Sequence, residues 1–300
     1  MTISRLGVIA GILLASTAAS AADISPAVVF DMGGKFDKSF NQGVYDGAER
    51  FKEETGVAYR EFEVTNETQR EQAMRRMVRK GATVVLGVGF AQADAIDKVA
   101  ADNPDVNFAI VDVSWLDRPN LRQYAFKEHE GSYLVGVAAA LKSETGTVGF
   151  VGGMDIPLIR KFACGYVQGV METKGTATVI QNMTGTTPSA WNDPTKGAEL
   201  AQSQMDRGAD VVYHAAGGTG TGVIRAVADA DKLAIGVDSD QYALAPGNML
   251  TSMIKRVDVA AYDTLTAAKA GTFESGVNIL GLAEDGVDWV ADKNNADLLT

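Results

Sequence analysis

The sequence is poor in the side chains that bind metals or act as nucleophiles. It contains one cysteine, Cys164, so the chain can form no internal disulfide and no metal site built from several thiolates. It contains only two histidines, His129 and His214, which excludes a histidine-rich metal site. Neither histidine belongs to the H-E-x-x-H spacing of zinc proteases, and the G-x-S-x-G elbow of serine hydrolases is absent. We therefore expect neither a metal nor a cofactor.

Positive charge is also scarce. The 300 residues include 27 Lys and Arg against 38 Asp and Glu, which gives a formal net charge of −11. An excess of negative charge repels a phosphate backbone, so a nucleic-acid partner is disfavoured. With 46% apolar residues the chain can bury complete cores, and its length favours two domains over one.

A strongly apolar run occurs only near the N-terminus. Residues 1–22 carry one charge, then the apolar run, then a series of small residues, which is the pattern of a cleaved secretory signal. The run is shorter than the roughly 20 residues that span a bilayer. No cysteine lies near the cleavage region, so we expect no lipid attachment there. The sequence predicts a protein that is exported to the periplasm and has no stable membrane anchor.

After this leader, short β-rich runs alternate with amphipathic stretches of helical period, which is typical of parallel sheets covered by helices. The predicted strands span residues 27–30, 58–64, 83–88, 107–111, 121–126, 147–151, 177–182, 210–214, 232–237 and 249–255. The predicted helices span residues 40–55, 68–79, 91–101, 131–142, 158–174, 195–207, 222–230 and 258–270. The pattern predicts an α/β fold with two sheets.

Two sheets of this size predict two lobes. We expect residues 23–127 plus 241–270 to form a first lobe. Residues 128–240 plus 271–300 would form a second lobe. The chain would then return to the first lobe near Asp240 and leave it again near Gly271. Residues 277–282 and 287–290 would pair as a hairpin. Several crossings would make a hinge, with a cleft between the lobes.

Polar and aromatic side chains follow the predicted strands. In open α/β sheets ligands bind beyond the carboxyl ends of the strands. In the first lobe these positions hold Phe36, Asp37 and Asn41 after one strand, and Asp112 and Trp115 after another. Asp37 also has a local interpretation as the N-cap of the next helix.

In the second lobe the corresponding positions hold Trp191 and Gly217, and Asp238 ends a further strand. Lys255 ends the strand that we assign to the returning first lobe. Gly217 begins a glycine-rich turn that lacks the lysine of a P-loop, so its amides fit a neutral ligand better than a phosphate.

Two aromatic plates, carboxylates and an amide suit a flat heterocycle joined to a polyol. Asn41 and Asp112 would bond the edge of the ring, and Asp238 with Lys255 would bond vicinal hydroxyls. A free sugar fits the same side chains, so a sugar-binding protein remains an alternative. A nucleoside hydrolase is a second alternative, although Asp31 with Asp37 is a sparse carboxylate cluster for activating water.

Seven segments resemble the basic membrane protein family of bacterial substrate-binding proteins, whose better understood members are purine nucleoside receptors of ABC importers. They are D-M-G-G-K-F-D-K-S-F-N-Q (31–42), F-A-I-V-D (108–112), F-K-E-H-E-G-S-Y-L-V-G (126–136), W-N-D-P-T-K-G (191–197), A-A-G-G-T-G-T-G (215–222), G-V-D-S-D-Q (236–241) and T-S-M-I-K (251–255). The resemblance implies a type I periplasmic binding protein, with two Rossmann-like lobes joined by a three-stranded hinge.

The resemblance also implies a set of ligand-binding residues, namely Phe36, Asp37, Asn41, Asp112, Trp191, Gly217, Asp238 and Lys255. Phe36 and Trp191 would sandwich the base, and Asp37, Asn41 and Asp112 would bond its edge. Asp238 and Lys255 would bond the ribose, and Gly217 would line the cleft. A monomeric binding protein that delivers a nucleoside to ABC permease subunits, without catalysis, is the function implied.

Overall fold

The structure is a computed structural model that describes residues 23–299. The predicted leader lies outside the described residues. Within them the chain forms twelve strands: β1 Pro26–Phe30, β2 Arg60–Glu63, β3 Val84–Gly87, β4 Asn107–Val111, β5 Leu121–Phe126, β6 Thr147–Met154, β7 Thr178–Gly185, β8 Val211–Ala215, β9 Leu233–Asp238, β10 Met249–Lys255, β11 Gly276–Leu280 and β12 Val287–Trp289.

The same residues form nine α-helices: α1 Phe40–Thr55, α2 Gln69–Arg79, α3 Ala93–Asp102, α4 Glu128–Lys142, α5 Pro157–Thr173, α6 Pro194–Asp206, α7 Gly220–Asp229, α8 Val257–Ala270 and α9 Ala296–Leu299. Among residues 23–299, none of the helices has both the length and the hydrophobicity to cross a bilayer.

The strands form two six-stranded sheets, one in each lobe. The first sheet has the order β11-β5-β4-β3-β1-β2 and is parallel throughout. The second has the order β12-β10-β9-β8-β6-β7, and only β12 runs antiparallel to its neighbour. The predicted α/β fold with two parallel-sheet lobes is confirmed. Because parallel strands are joined by crossover helices, helices cover the sheets and the central strands are buried.

Apolar side chains at strand and helix spacing build the cores. Every residue of β1 is buried, as expected for a central parallel strand. In α1 the buried residues Val44, Ala48 and Phe51 recur at helical spacing, so one face of the helix packs inward and the other stays in solvent. Burial of these faces fixes the helices on the sheets and leaves the strand ends at the edge between the lobes.

Three chain crossings connect the lobes side by side. The first runs from β5 to α4, the second from β10 to α8, and the third from β11 to β12. Backbone hydrogen bonds tie them together, since Lys127 N donates to Leu280 O at 2.9 Å and Arg256 N donates to Gly286 O at 2.9 Å. These bonds hold the crossings as one hinge.

In the structure, two of the chain crossings lie at other residues than predicted. Met249–Lys255 pairs with β9 in the second sheet, so the chain stays in the second lobe past Asp240 and crosses only at Arg256. Gly276–Leu280 pairs with β5 in the first sheet, so the return occurs after Leu280 and not near Gly271. The predicted hairpin is also wrong, because β11 and β12 belong to different sheets. The apolar pattern of a strand does not specify which sheet it joins, since pairing is a long-range property.

Candidate ligand-binding site

A cavity lies between the two lobes, at the carboxyl ends of their strands, and holds about 630 Å³ of empty space including its open mouth. The position is the one expected for a ligand site in an open α/β sheet. Seven of the eight predicted site residues line it: Asp37, Asn41, Asp112, Trp191, Gly217, Asp238 and Lys255. The eighth, Phe36, does not.

Asp37 acts as the cap of helix α1. Its Oδ1 accepts the backbone N–H groups of Ser39 at 2.9 Å and Gln42 at 3.1 Å, and its Oδ2 accepts those of Asn41 at 3.0 Å. The Asn41 Nδ2 group adds a fourth hydrogen bond to Oδ2 at 3.2 Å. Burial raises the pKa of Asp37, and the helix N–H groups oppose that rise. A carboxylate offers about four acceptor sites, so Asp37 is largely occupied within its own lobe.

Asn41 presents an unused acceptor. Its side chain is 4% exposed and lines the cavity, and its Oδ1 accepts no hydrogen bond from any residue in the described part of the chain. A buried amide oxygen without a partner costs roughly 1–3 kcal/mol. The bond from Nδ2 to Asp37 fixes the orientation of the amide. Asn41 is therefore placed to accept a hydrogen bond from a ligand.

Phe36 lies outside the cavity, contrary to the expectation that it forms one aromatic plate. It is 58% exposed, and its ring packs edge-on against Tyr45 with a centroid distance of 5.1 Å. Lys35 Nζ lies 4.9 Å from the Phe36 ring centroid and forms an ion pair with Glu61. These contacts hold the turn against β2 and α1. The first lobe instead presents Phe40, the first residue of α1, to the cavity.

Trp191 forms the aromatic wall of the second lobe. A Cβ placed on Gly153 would lie 2.0 Å from Trp191 Cζ3, so the indole occupies space that only glycine leaves open on β6. Gly217 also lies against the indole and has φ 56°, a left-handed conformation that favours glycine. Gly33, in the loop after β1 of the first lobe, approaches Trp191 Cβ. Trp191 therefore lies where the two lobes face each other.

Lys255 is the centre of a buried charge cluster. Its Nζ lies 2.7 Å from Asp112 Oδ1 and 3.2 Å from Glu128 Oε1, and its side chain is 2% exposed. The ammonium also faces three aromatic rings, those of Phe40, Phe126 and Phe162, at 5.2, 5.1 and 5.5 Å from their centroids. Such contacts favour the cation. Because Lys255 ends β10 and Asp112 follows β4, the ion pair joins the two lobes.

The charges in this cluster shift one another's pKa. Burial raises the pKa of Asp112, which the ammonium of Lys255 opposes and the carboxylate of Glu128 reinforces. Burial alone would lower the pKa of Lys255, but the charges of Asp112 and Glu128 outweigh it and raise that pKa. Lys255 therefore stays protonated. Sequence reasoning assigned Asp112 to the edge of a ring, whereas the structure pairs it with this cation.

Asp238 occupies the place in the second sheet that Asp112 occupies in the first. Asp112 follows β4, which neighbours β5, and Asp238 ends β9, which neighbours β10; both β5 and β10 lead into the hinge. Both residues have φ 67°. Non-glycine residues held at positive φ are uncommon and cluster at functional sites. Burial raises the pKa of Asp238 to about 7, against the opposing charge of Lys255 and a hydrogen bond from Ser39.

Two hydrogen bonds cross the cleft beside Asp238. Ser39 Oγ, from the first lobe, donates to Asp238 Oδ2. Gln241 Nε2 donates to the backbone oxygen of Lys38 at 2.8 Å, and Lys38 has φ 62°. Gln241 Oε1 in turn accepts Val237 N at 3.0 Å. The lobes are thus held in contact in a closed arrangement.

A buried histidine, His214, contacts the side chain of Gln241. The His214 Nε2 atom lies 2.9 Å from Gln241 Oε1, and burial lowers the pKa of His214 to about 4. His214 is therefore neutral near pH 7, and its contact with Gln241 helps to position that side chain.

Sequence reasoning missed several residues of the site. Phe40 and Phe90 line the cavity from the first lobe, and Phe162 from the second. Glu128 is fully buried next to Lys255, at a position that lies before the predicted helix 131–142 and was given no role. The available signal was the charged residue within the hinge segment F-K-E, since a buried carboxylate at a lobe crossing requires a partner.

The family model described as "ABC transporter substrate-binding protein PnrA-like" matches residues 24–299. The chain is 36% identical over 298 residues to the CD4+ T-cell-stimulating antigen of Listeria monocytogenes, covering 92% of this chain and 82% of that protein. It is 33% identical over 298 residues to the ABC transporter nucleoside-binding protein BmpA of Lactococcus lactis, covering 92% of this chain and 84% of that protein.

Among solved structures, an ABC transporter solute-binding protein from Aeropyrum pernix superposes with a TM-score of 0.85 at 32% identity, covering 90% of this chain and 77% of that chain. Substrate-binding proteins of ABC transporters bind small molecules and work with permease subunits; they are not enzymes. The matched family model, the sequence relatives and the shared two-lobe fold agree. The chain belongs to the family of PnrA-like ABC transporter substrate-binding proteins, also called the basic membrane protein family.

Proposed function

We propose that this protein binds a purine nucleoside between its lobes and delivers it to the permease of an ABC importer. The observation that carries the proposal is that two sets of side chains line one cavity, an aromatic part with an unused amide acceptor and a charged part. The first part contains Trp191 and Asn41, and the second contains Asp238, Lys255 and Asp112. A nucleoside has the same division between a planar base and a polyol.

The aromatic part fits a planar heterocycle. Trp191 presents an indole face to the cavity from the second lobe. From the first lobe Phe40 lines the cavity, where the sequence analysis expected Phe36. Stacking of a base on an aromatic face is worth about 1–3 kcal/mol. The free Oδ1 of Asn41 would accept a hydrogen bond from an N–H of the base.

The charged part fits vicinal hydroxyls. Lys255 can only donate hydrogen bonds, while ionised Asp238 and Asp112 can only accept them. A pair of neighbouring hydroxyls both donates and accepts, so it can satisfy a lysine and a carboxylate together. The acidic surroundings disfavour a phosphate at the same place, which makes a nucleoside a better fit than a nucleotide.

Closure of the lobes traps the ligand. Contacts from both lobes, including Trp191 on one side and Asn41 on the other, exist only when the cleft is shut, so the ligand stabilises the closed form. The predicted leader at residues 1–22 agrees with export to the periplasm. The bound nucleoside would be released to permease subunits by reopening at the hinge, and the binding protein would act as a monomer.

Native mass spectrometry of freshly purified protein tests the proposal, because a closed cleft can retain its ligand through purification. The expected result is an added mass equal to a purine nucleoside, which disappears on unfolding and refolding. Added masses equal to a hexose or a pentose would favour the sugar-binding alternative. Adding adenosine or guanosine to refolded protein should restore the complex, and accumulation of free base would support the hydrolase alternative.

A further inference from the structure

A second chamber adjoins the cavity on the side of the charge cluster. It contains about 830 Å³ of empty space including its open mouth, and both lobes line it. Phe90, Asp112 and Leu158 line this chamber and the main cavity alike. The two spaces are therefore neighbours that share a wall. Asp112 and Glu128 line the chamber and both pair with Lys255, so the chamber adjoins the charged part of the main cavity.

A large aromatic side chain, Trp115, lines the chamber. It follows β4 by a few residues, and it is 63% exposed. A large aromatic side chain left open to solvent beside a ligand cavity is a feature of binding sites. The proposed contacts with base and ribose do not use it. Ile156 and Pro157 line the same chamber from the second lobe, so its lining is mainly apolar.

The charges of the chamber are already neutralised by each other. Glu128 is fully buried, with its Oε1 atom 3.2 Å from Lys255 Nζ and its Oε2 atom 3.5 Å from Lys161 Nζ. Asp112 likewise pairs with Lys255 at 2.7 Å. Among residues 23–299, Lys161 is the one cation that lines the chamber, and it has a carboxylate partner. Because both lysines already have carboxylate partners, a phosphate would find no unpaired cation among them, and an uncharged substituent fits the chamber better.

The geometry points to a subsite for an apolar substituent on the primary hydroxymethyl carbon of the bound nucleoside. This inference rests on the proposed function. In a ribose the glycosidic carbon and the carbon bearing the hydroxymethyl group lie on opposite sides of the ring oxygen. With the base near Asn41 and Trp191 and the vicinal hydroxyls near Asp238 and Lys255, that group faces the wall shared with the chamber. The ligand class is a purine nucleoside that carries an alkylthio or similar uncharged group there.

Calorimetric titration with three ligands tests the subsite. They are adenosine, adenosine whose primary hydroxyl is replaced by an isobutylthio group, and adenosine carrying a phosphate monoester there. Burial of four carbons predicts that the alkylthio compound binds at least about as tightly as adenosine. The phosphate should bind at least about tenfold more weakly than adenosine because Lys161 and Lys255 already have carboxylate partners.

Two variants separate the chamber from the main cavity. Ile156→Trp fills the chamber and should weaken the alkylthio compound by about tenfold or more, with adenosine affinity changed less than about twofold. Trp115→Ala should weaken the alkylthio compound several-fold and likewise spare adenosine. Both residues line the chamber and not the main cavity.

The outcomes distinguish the two proposals. Tight binding of adenosine with much weaker binding of the alkylthio compound would overturn the subsite and leave the nucleoside function standing. Equal loss of both ligands in Ile156→Trp would also count against the subsite. Failure of adenosine, guanosine and inosine alike to bind the wild-type protein would reject the nucleoside function and the subsite together.

Discussion

Lys255 Nζ and Asp112 Oδ1 lie 2.7 Å apart and join the end of β10 in the second lobe to the end of β4 in the first. Both side chains are buried, and Glu128 adds a second carboxylate at 3.2 Å. A buried charge of this kind is costly without its partners. The pair therefore couples three properties of the protein, namely folding, lobe closure and the polarity of the cavity.

Replacing Lys255 with Met should destabilise the protein by about 3–5 kcal/mol, because two buried carboxylates lose their cation. Chemical denaturation followed by circular dichroism measures the loss. The loss should shrink at low pH, where Asp112, whose pKa is raised by burial, takes up a proton. Lys161→Met removes the partly exposed lysine 3.5 Å from Glu128 and should cost about 1 kcal/mol or less. Equal losses at all pH values would show that packing rather than charge is responsible.

Replacing Trp191 with Ala should reduce purine nucleoside affinity by about 1–3 kcal/mol through loss of base stacking. Calorimetry at one temperature measures the change. Trp115→Ala is the matched control, because Trp115 lies outside the main cavity and should leave the affinity for an unsubstituted nucleoside unchanged. Similar losses in both variants would contradict the assignment of the indole at Trp191 to the base.

Nucleoside affinity should rise as pH increases through about 7, because burial raises the pKa of Asp238 to about 7. The ionised carboxylate is the form that accepts hydrogen bonds from the ribose hydroxyls. Titrations from about pH 5.5 to about pH 8 measure this dependence. Asp238→Asn should bind more weakly and show a flat profile. His129→Gln should keep the wild-type profile, because His129 does not line the cavity.

The stability of the unliganded protein should change in the opposite direction. The pKa of Asp238 is raised by burial from its ordinary value of 3.8 to about 7, so the folded protein binds more protons than the unfolded chain between these values. Its contribution to stability therefore falls as pH rises from about 4 to about 7. Denaturant midpoints of wild type and Asp238→Asn should diverge over that range. Parallel midpoints would contradict the assigned pKa.

Replacing Ser39 with Ala should shift unliganded protein toward an open form, because the hydroxyl of Ser39 donates across the cleft to Asp238. Small-angle X-ray scattering should give a larger radius of gyration than for wild type, and saturating nucleoside should restore the compact value. Thr173→Ala removes a hydroxyl that bonds only within α5 and should leave the radius unchanged. An unaltered radius in Ser39→Ala would remove this bond from the closing contacts.

The elements of the fold were predictable because their signals are local. Helix α1 begins at Phe40 and ends at Thr55 as the apolar spacing indicated, and β4, β5 and β10 match their predicted bounds. The lobe that contains β10 was not predictable. Its buried apolar residues suit either sheet, and only pairing with β9 decides the matter.

The candidate site shows the same limit. Strand-end reasoning and the family resemblance together selected eight residues, and seven of them line one cavity, since the carboxyl ends of parallel strands meet at the cleft. They assigned the first aromatic plate to Phe36, whereas Phe40 in the same loop-to-helix segment lines the cavity. The helix start was predicted correctly, but the packing of the Phe36 ring against Tyr45, outside the cavity, is a side-chain contact that apolar spacing does not specify. Glu128 was missed because its partner Lys255 is distant in sequence.

The most direct test of the account is calorimetric titration of refolded, ligand-free protein with guanosine, guanine and ribose in separate experiments. The account predicts that guanosine binds with one molecule per protein and far more tightly than either fragment, because each fragment fills only one part of the cavity. Binding of ribose or another free sugar as tightly as the nucleoside, or no binding of any purine nucleoside, would contradict it.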